Sequence, residues 1–121
     1  MPKIIYLPTY KNKNGKLSVI EKLTNFKIKR VFFIYDIKGV RGGHKHLKTK
    51  QLIISISGTC ELLVKNKKKK LIKLFKLNNP NKGVLLYPDD WHTMKALKKN
   101  TILLVMASEF YNKNDYVDSI D

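Results

Sequence analysis

The chain predicts an all-β protein, a sandwich or barrel of short antiparallel strands. Three observations lead there. Short runs rich in Ile, Val, Leu, Phe and Thr recur from end to end. Turn-forming residues punctuate them at close intervals. No stretch carries the 3.6-residue periodicity of an amphipathic helix. Many short strands at regular spacing are the mark of such a fold.

Taken in order, strands are expected at residues 4–7, 17–23, 29–37, 44–46, 52–57, 59–65, 70–77, 83–87, 93–97 and 101–107. Turn signals at 12–15, 38–43, 57–58, 66–67, 78–82, 88–90 and 98–100 separate them. Val31-Phe32-Phe33-Ile34 and Ile102-Leu103-Leu104-Val105 are apolar on both faces, as in central strands covered on each side. The tail from Glu109 is polar, with aromatic anchors at Phe110, Tyr111 and Tyr116, and is read as a short helix or a strap. No repeat or linker interrupts the chain, so residues 1–121 are expected to form one domain.

Composition narrows the function classes. Hydrophobic residues are 43% and charged residues 28%, the profile of a soluble globular protein and not of a disordered chain. The single cysteine, Cys60, excludes an internal disulfide and a cysteine-built zinc site. It reads as a small core residue. No window reaches the length of a membrane span, and residues 1–10 carry no long apolar stretch or small-residue cleavage site. A cytoplasmic location is therefore expected. The net charge of +16 is almost all lysine, the only arginines being Arg30 and Arg41. These lysines are scattered, apart from Lys67 to Lys70 in a turn, and asparagine and isoleucine are abundant, as AT-rich codons favour. Nucleic-acid binding is not expected, although a positive surface would steer a diphosphate-bearing substrate.

The chemistry concentrates in two segments. The first is Gly39-Val40-Arg41-Gly42-Gly43-His44-Lys45-His46, followed by Gln51 and Gly58. Side chains alternate along a strand, so His44 and His46 share a face. The glycines give a bend of close approach and deliver Arg41 to the same mouth. The second segment, Tyr87-Pro88-Asp89-Asp90-Trp91-His92, holds the remaining histidine. A lone histidine on a strand is usually a satisfied core residue, and His92 read alone divides evenly between that and a site role. Trp91 reads as core, and Asp89 and Asp90 as turn formers. The pair at i and i+2 behind an arginine and a glycine bend points to acid–base or ligand chemistry.

Gly39, His44-x-His46, Gln51 and Gly58 together resemble the first cupin motif, with Gln51 where many cupins have glutamate. Gly83 through Pro88 to His92 resembles a shortened second motif. More closely, the chain resembles the dTDP-4-keto-6-deoxyglucose 3,4-ketoisomerases, also grouped as WxcM-like sugar isomerases. The matching stretches are Lys29-Arg30-Val31-Phe32-Phe33-Ile34-Tyr35-Asp36, Arg41-Gly42-Gly43-His44-Lys45-His46, Asn78-Asn79-Pro80-Asn81-Lys82-Gly83, Pro88-Asp89-Asp90-Trp91-His92, Val105-Met106-Ala107-Ser108, Tyr111 and Asn114-Asp115-Tyr116. Val117-Asp118 follows where that family continues with a basic residue.

The resemblance implies a cupin jelly roll that forms a homodimer, often with exchanged amino-terminal strands. It implies a thymidine-diphosphate 4-keto-6-deoxyhexose as substrate and an aminotransferase after it, on the way to a surface glycan. It implies neither a cofactor nor a metal. A 3,4-ketoisomerase must shift a proton from C3 to C4 and another between the two oxygens, work suited to histidine. His44 is expected to serve the carbon proton and His46 the oxygens, a division the sequence leaves open, as it does the C4 configuration of the product. Arg41 suits an enediolate or the diphosphate. Tyr35, Gln51, His92 and Arg30 are expected to contact substrate. Three alternatives stand beside this reading. One is a metal-dependent cupin oxygenase using His44, His46 and His92 with Gln51. The second is a nucleotide-sugar epimerase, and the third a non-catalytic sugar- or polyanion-binding module.

Overall fold

The computed structural model describes residues 1–121 and is built almost wholly of strands. They are β1 (Lys3–Tyr6), β2 (Thr9–Asn12), β3 (Gly15–Ser18), β4 (Arg30–Ile34), β5 (Val40–His46), β6 (Gln51–Ser57), β7 (Cys60–Asn66), β8 (Leu71–Leu77), β9 (Lys82–Leu86), β10 (Trp91–Ala96), β11 (Ile102–Ala107) and β12 (Tyr116–Val117). One turn of 3₁₀ helix, Lys113–Asp115, precedes β12. The strands form two five-stranded antiparallel sheets, ordered β1-β9-β6-β11-β4 and β12-β5-β10-β7-β8, with β2–β3 a separate hairpin. This is the cupin jelly roll. No helix is long and apolar enough to cross a membrane.

Binary patterning explains the packing. β7 alternates buried and half-buried residues along its whole length. Its inward residues Cys60, Leu62 and Val64 meet Phe75 and Leu77 of β8, Ile53 of β6, Val84 and Leu86 of β9, and Leu103 and Val105 of β11 between the sheets. Strand β6 is buried on both faces. Its other face carries Leu52 and Ile54, which form a second cluster with Leu7, Leu85 and Met106, capped by Ile20, Leu23 and Phe26. That cap explains where the chain departs from expectation. The apolar residues of 19–26 lie across the sheet as a lid of irregular backbone, so the strand expected over 17–23 ends at Ser18.

Of the two strands expected to be covered on both faces, β11 is: Leu103 and Val105 lie in the core between the sheets, and Leu104 and Met106 pack in the second cluster. β4 is an edge strand, and its outward residues Val31 and Phe33 are 59% and 62% exposed. The tail is a strap. Tyr116 and Val117 pair with His46 and Lys45 of β5. Beyond them Trp91 Nε1 donates to the Asp118 carbonyl at 2.9 Å, and the buried Lys45 Nζ to the Ile120 carbonyl at 3.3 Å. This strap closes one end of the space between the sheets.

Candidate active site

Strand β5 delivers two histidines to the interior because of how it starts. Gly42 and Gly43 both have positive φ, +88° and +82°, in the region that favours glycine. The pairing with β10 shifts register there, between His92 and Thr93, which is the mark of a bulge. A Cβ on Gly42 would stand 2.9 Å from the His92 carbonyl oxygen, so the close approach of β5 to β10 requires glycine. The bend places His44 directly opposite His92. Two residues on, His46 lies opposite Tyr116 of β12.

All three histidines of the chain thus meet. Ring centroids are 5.4 Å apart for His44–His46, 5.2 Å for His44–His92 and 6.2 Å for His46–His92. One nitrogen of each lies within 4.8 Å of the others. The Tyr116 ring closes over them, 4.4 Å from His46 and 4.9 Å from His44. They border a cavity of about 190 Å³ between the two sheets, which His44, His92, Arg41, Met94 and Tyr116 line from one side. Phe32, Ile34, Gln51, Ile53 and Val105 line it from the other. Larger hollows of about 510 and 480 Å³ lie along the β2–β3 hairpin, but no histidine, arginine or acidic side chain lines them.

Two of the imidazoles are fixed from behind. His46 Nδ1 lies 2.9 Å from Asp115 Oδ2, and the same carboxylate accepts from the Thr49 hydroxyl and from the Lys48 N–H. His92 Nδ1 donates to the Asp90 carbonyl at 3.0 Å. Asp90 itself is buried and held by Asn66 Nδ2 and the Tyr87 N–H, both at 2.8 Å. With Nδ1–H committed, each ring keeps a bare Nε2, and that of His46 is buried without a partner.

Burial lowers the basicity of all three rings. For His44 the positive charge available to His46 adds to the effect, and Asp118 opposes it. For His46 the hydrogen bond and charge of Asp115 oppose burial without cancelling it. For His92 burial brings the pKa down to about 4. Burial works to raise Asp115, but the hydrogen bonds from Thr49, His46 and Lys48 outweigh it and hold the carboxyl below its usual range. At neutral pH the site is therefore a cluster of uncharged imidazoles able to accept protons. Three nitrogens at this spacing also match what a divalent transition ion takes. Gln51 would be the amide-type fourth ligand, since no carboxylate joins the group.

This geometry has relatives. The family model described as FdtA: WxcM-like, C-terminal, matches residues 1–121. The chain is 32% identical over 123 residues to the TDP-4-oxo-6-deoxy-alpha-D-glucose-3,4-oxoisomerase of Aneurinibacillus thermoaerophilus, covering 98% of this chain and 87% of that protein. The chain belongs to the WxcM-like family of sugar 3,4-ketoisomerases. Among solved structures of this family, a 3,4-ketoisomerase from Helicobacter canadensis is 34% identical, with a TM-score of 0.90 over 98% of this chain and 90% of that one. QdtA, a sugar 3,4-ketoisomerase from Thermoanaerobacterium thermosaccharolyticum solved in complex with TDP, is 32% identical, with a TM-score of 0.90 over 98% and 88%.

Within this WxcM-like chain most residues singled out from sequence come together. His44, His92, Arg41 and Gln51 line the cavity, Arg41 from an exposed position at its mouth, and His46 stands beside them. Arg30 does not line it. Its guanidinium sits on the Phe32 ring at 5.2 Å and donates to the Tyr116 hydroxyl at 3.4 Å, so it supports the aromatic lid from behind. Tyr35 is placed elsewhere. Arg30, Phe32 and Ile34 face inward on β4, so the residue after them faces out, and Tyr35 is exposed and stacked on Phe33 at 5.6 Å. The sequence alone does not single out Asp115, Thr49, Asp90 or Asn66 as site residues. Asp90, Asp115 and Tyr116 lie within stretches that match the family, but nothing local ties Asp115 to a histidine 69 residues away.

Proposed function

We propose that this protein is a sugar 3,4-ketoisomerase that converts thymidine-diphosphate-linked 4-keto-6-deoxyglucose to the 3-keto isomer through an enediol. One observation carries the reading: three uncharged, converging imidazoles border one small cavity, in a chain that matches this family over its whole length. Neutral imidazoles near the working pH are suited to taking a proton from carbon beside a ketone and returning it.

His44 lines the cavity and exchanges the carbon proton. His46, with Asp115 behind it, stabilises positive charge as protons pass between the two sugar oxygens. Arg41 at the mouth pairs with the diphosphate or the developing enediolate, since its planar fork fits either. His92 and Gln51 accept or donate hydrogen bonds to sugar hydroxyls. The residual positive charge of the surface draws the diphosphate in. No cofactor is required, because the ketone at C4 is reduced as the hydroxyl at C3 is oxidised. An epimerase is less well supported. It returns a proton to the same carbon on the opposite face and needs exchangeable groups on both walls, which this cavity lacks.

The enzyme acts as one cytoplasmic domain spanning residues 1–121, and its product is a precursor of amino sugars in surface glycans. It works as a homodimer that exchanges amino-terminal strands. The bare outer face of β4 and the hairpin β2–β3, exposed on both of its faces, support that arrangement.

The test is proton NMR of the protein with TDP-4-keto-6-deoxyglucose in deuterated water, with and without chelator. The expected result is a ketone moved to C3 with deuterium at C4. It should be unchanged by chelator and slowed roughly 10²–10⁴-fold in His44→Asn and His46→Asn. Absence of exchange at both C3 and C4 would overturn the reading. Loss of turnover on chelation, restored by metal, would replace it with a metal-dependent one.

A further inference from the structure

The two walls of the cavity differ in kind. Every imidazole at the cavity comes from the sheet holding β5 and β10: His44 and His92, with His46 beside them. The facing wall, from the other sheet, is Phe32, Ile34, Ile53 and Val105, with the Gln51 amide its only polar side chain. Hydrocarbon cannot bind or release a proton, and an amide is both a poor acid and a poor base. Arg30 belongs to that second sheet, but a guanidinium stays charged and this one is turned to the Tyr116 hydroxyl.

We infer that the proton lost from C3 is replaced at C4 from the same face of the sugar, so that the product has the galacto configuration at C4. This rests on the ketoisomerase reading above and settles a choice that reading leaves open. A pyranose between the sheets turns one ring face to the histidines and the other to the apolar wall. In a 4-keto-6-deoxy-D-glucose the C3–H bond is axial, on the same ring face as C5–H. Its removal by a histidine therefore sets that face against the histidine wall.

The atoms balance without an outside reagent. The C3–H bond breaks, and its electron pair forms the C3–C4 double bond of the enediol as the C4 carbonyl oxygen takes a proton. The C3 hydroxyl then gives up its proton and becomes the carbonyl, and C4 takes a proton from the histidine wall. The new C4–H bond points to the C5–H side, which leaves the C4 hydroxyl axial. The gluco product, with an equatorial hydroxyl, requires a donor on the apolar wall.

The experiment is NMR of the product made from TDP-4-keto-6-deoxy-α-D-glucose by the intact protein in ordinary water, read at early conversion, before C4 scrambles beside the new ketone. A small coupling between H4 and H5, with H4 equatorial, is the expected result. A large trans-diaxial coupling would overturn the inference while leaving the ketoisomerase reading intact. Substrate that remains unconverted and exchanges no C3 proton with solvent would sink both.

Discussion

His46 shows how a single side chain is prepared for proton transfer. Burial alone would make it a poor base, and Asp115 restores part of its basicity through a hydrogen bond and a charge. The effect has a definite sign. Removing the negative charge lets burial dominate, so the pKa of His46 falls further. The histidine then stays neutral to lower pH, and the acid limb of the kcat/KM profile moves acidward. Asp115→Asn keeps the shape and an acceptor for Nδ1–H, so a change reports charge more than packing. We expect this variant to lose about 10²-fold in kcat and to show the acidward shift. An acid limb that stays in place would mean that Asp115 holds only backbone. Thr49 and the Lys48 N–H occupy the same carboxylate and fix its direction.

Strand β5 is the element on which the site depends, and its shape depends on Gly42. An alanine there meets two costs, a left-handed backbone and a Cβ against the His92 carbonyl. Gly42→Ala should therefore lower stability by about 1–3 kcal/mol, and activity as well, because the bulge that places His44 opposite His92 must open. Urea unfolding checks this, and a variant as stable and active as the parent would refute it. The same element shows what a sequence makes legible. The glycine bend, the His-x-His face and the arginine are neighbours in the chain, so local rules of alternation and turn chemistry place them. Asp115 reaches His46 only after two sheets have closed, and no local rule expresses that contact. The parity of Tyr35 is not legible, because Val31-Phe32-Phe33-Ile34 is apolar throughout; only the fold shows Arg30, Phe32 and Ile34 inward and position 35 outward. The strand over 17–23 failed for another reason. An apolar run can cover a sheet as well as join one, and Ile20, Leu23 and Phe26 cover it.

The whole molecule leaves one sheet incompletely covered. Val31 and Phe33 of β4 and Tyr35 just beyond it stand exposed, while Tyr10 and Leu17 face each other across a hairpin that packs on little else. An isolated two-stranded hairpin is marginal in water, so this hairpin and the bare face of β4 are the surfaces that the proposed homodimer would cover. If the proposed homodimer forms, light scattering should show Phe33→Asp as a monomer, and a wild-type protein that is already monomeric would refute the exchanged-strand arrangement. The strap of residues 115–121 has a consequence of its own, in the order of events during folding. The groups that complete the site come from positions 44–46, 92 and 115–116, and the pairings that join them, β5 with β10 and β5 with β12, are long-range. Loop closure over such distances is slow and comes late. No fragment that stops short of the strap can hold His46 against its carboxylate. The active centre is thus absent from partly folded chains, and catalytic competence arrives only with the finished barrel.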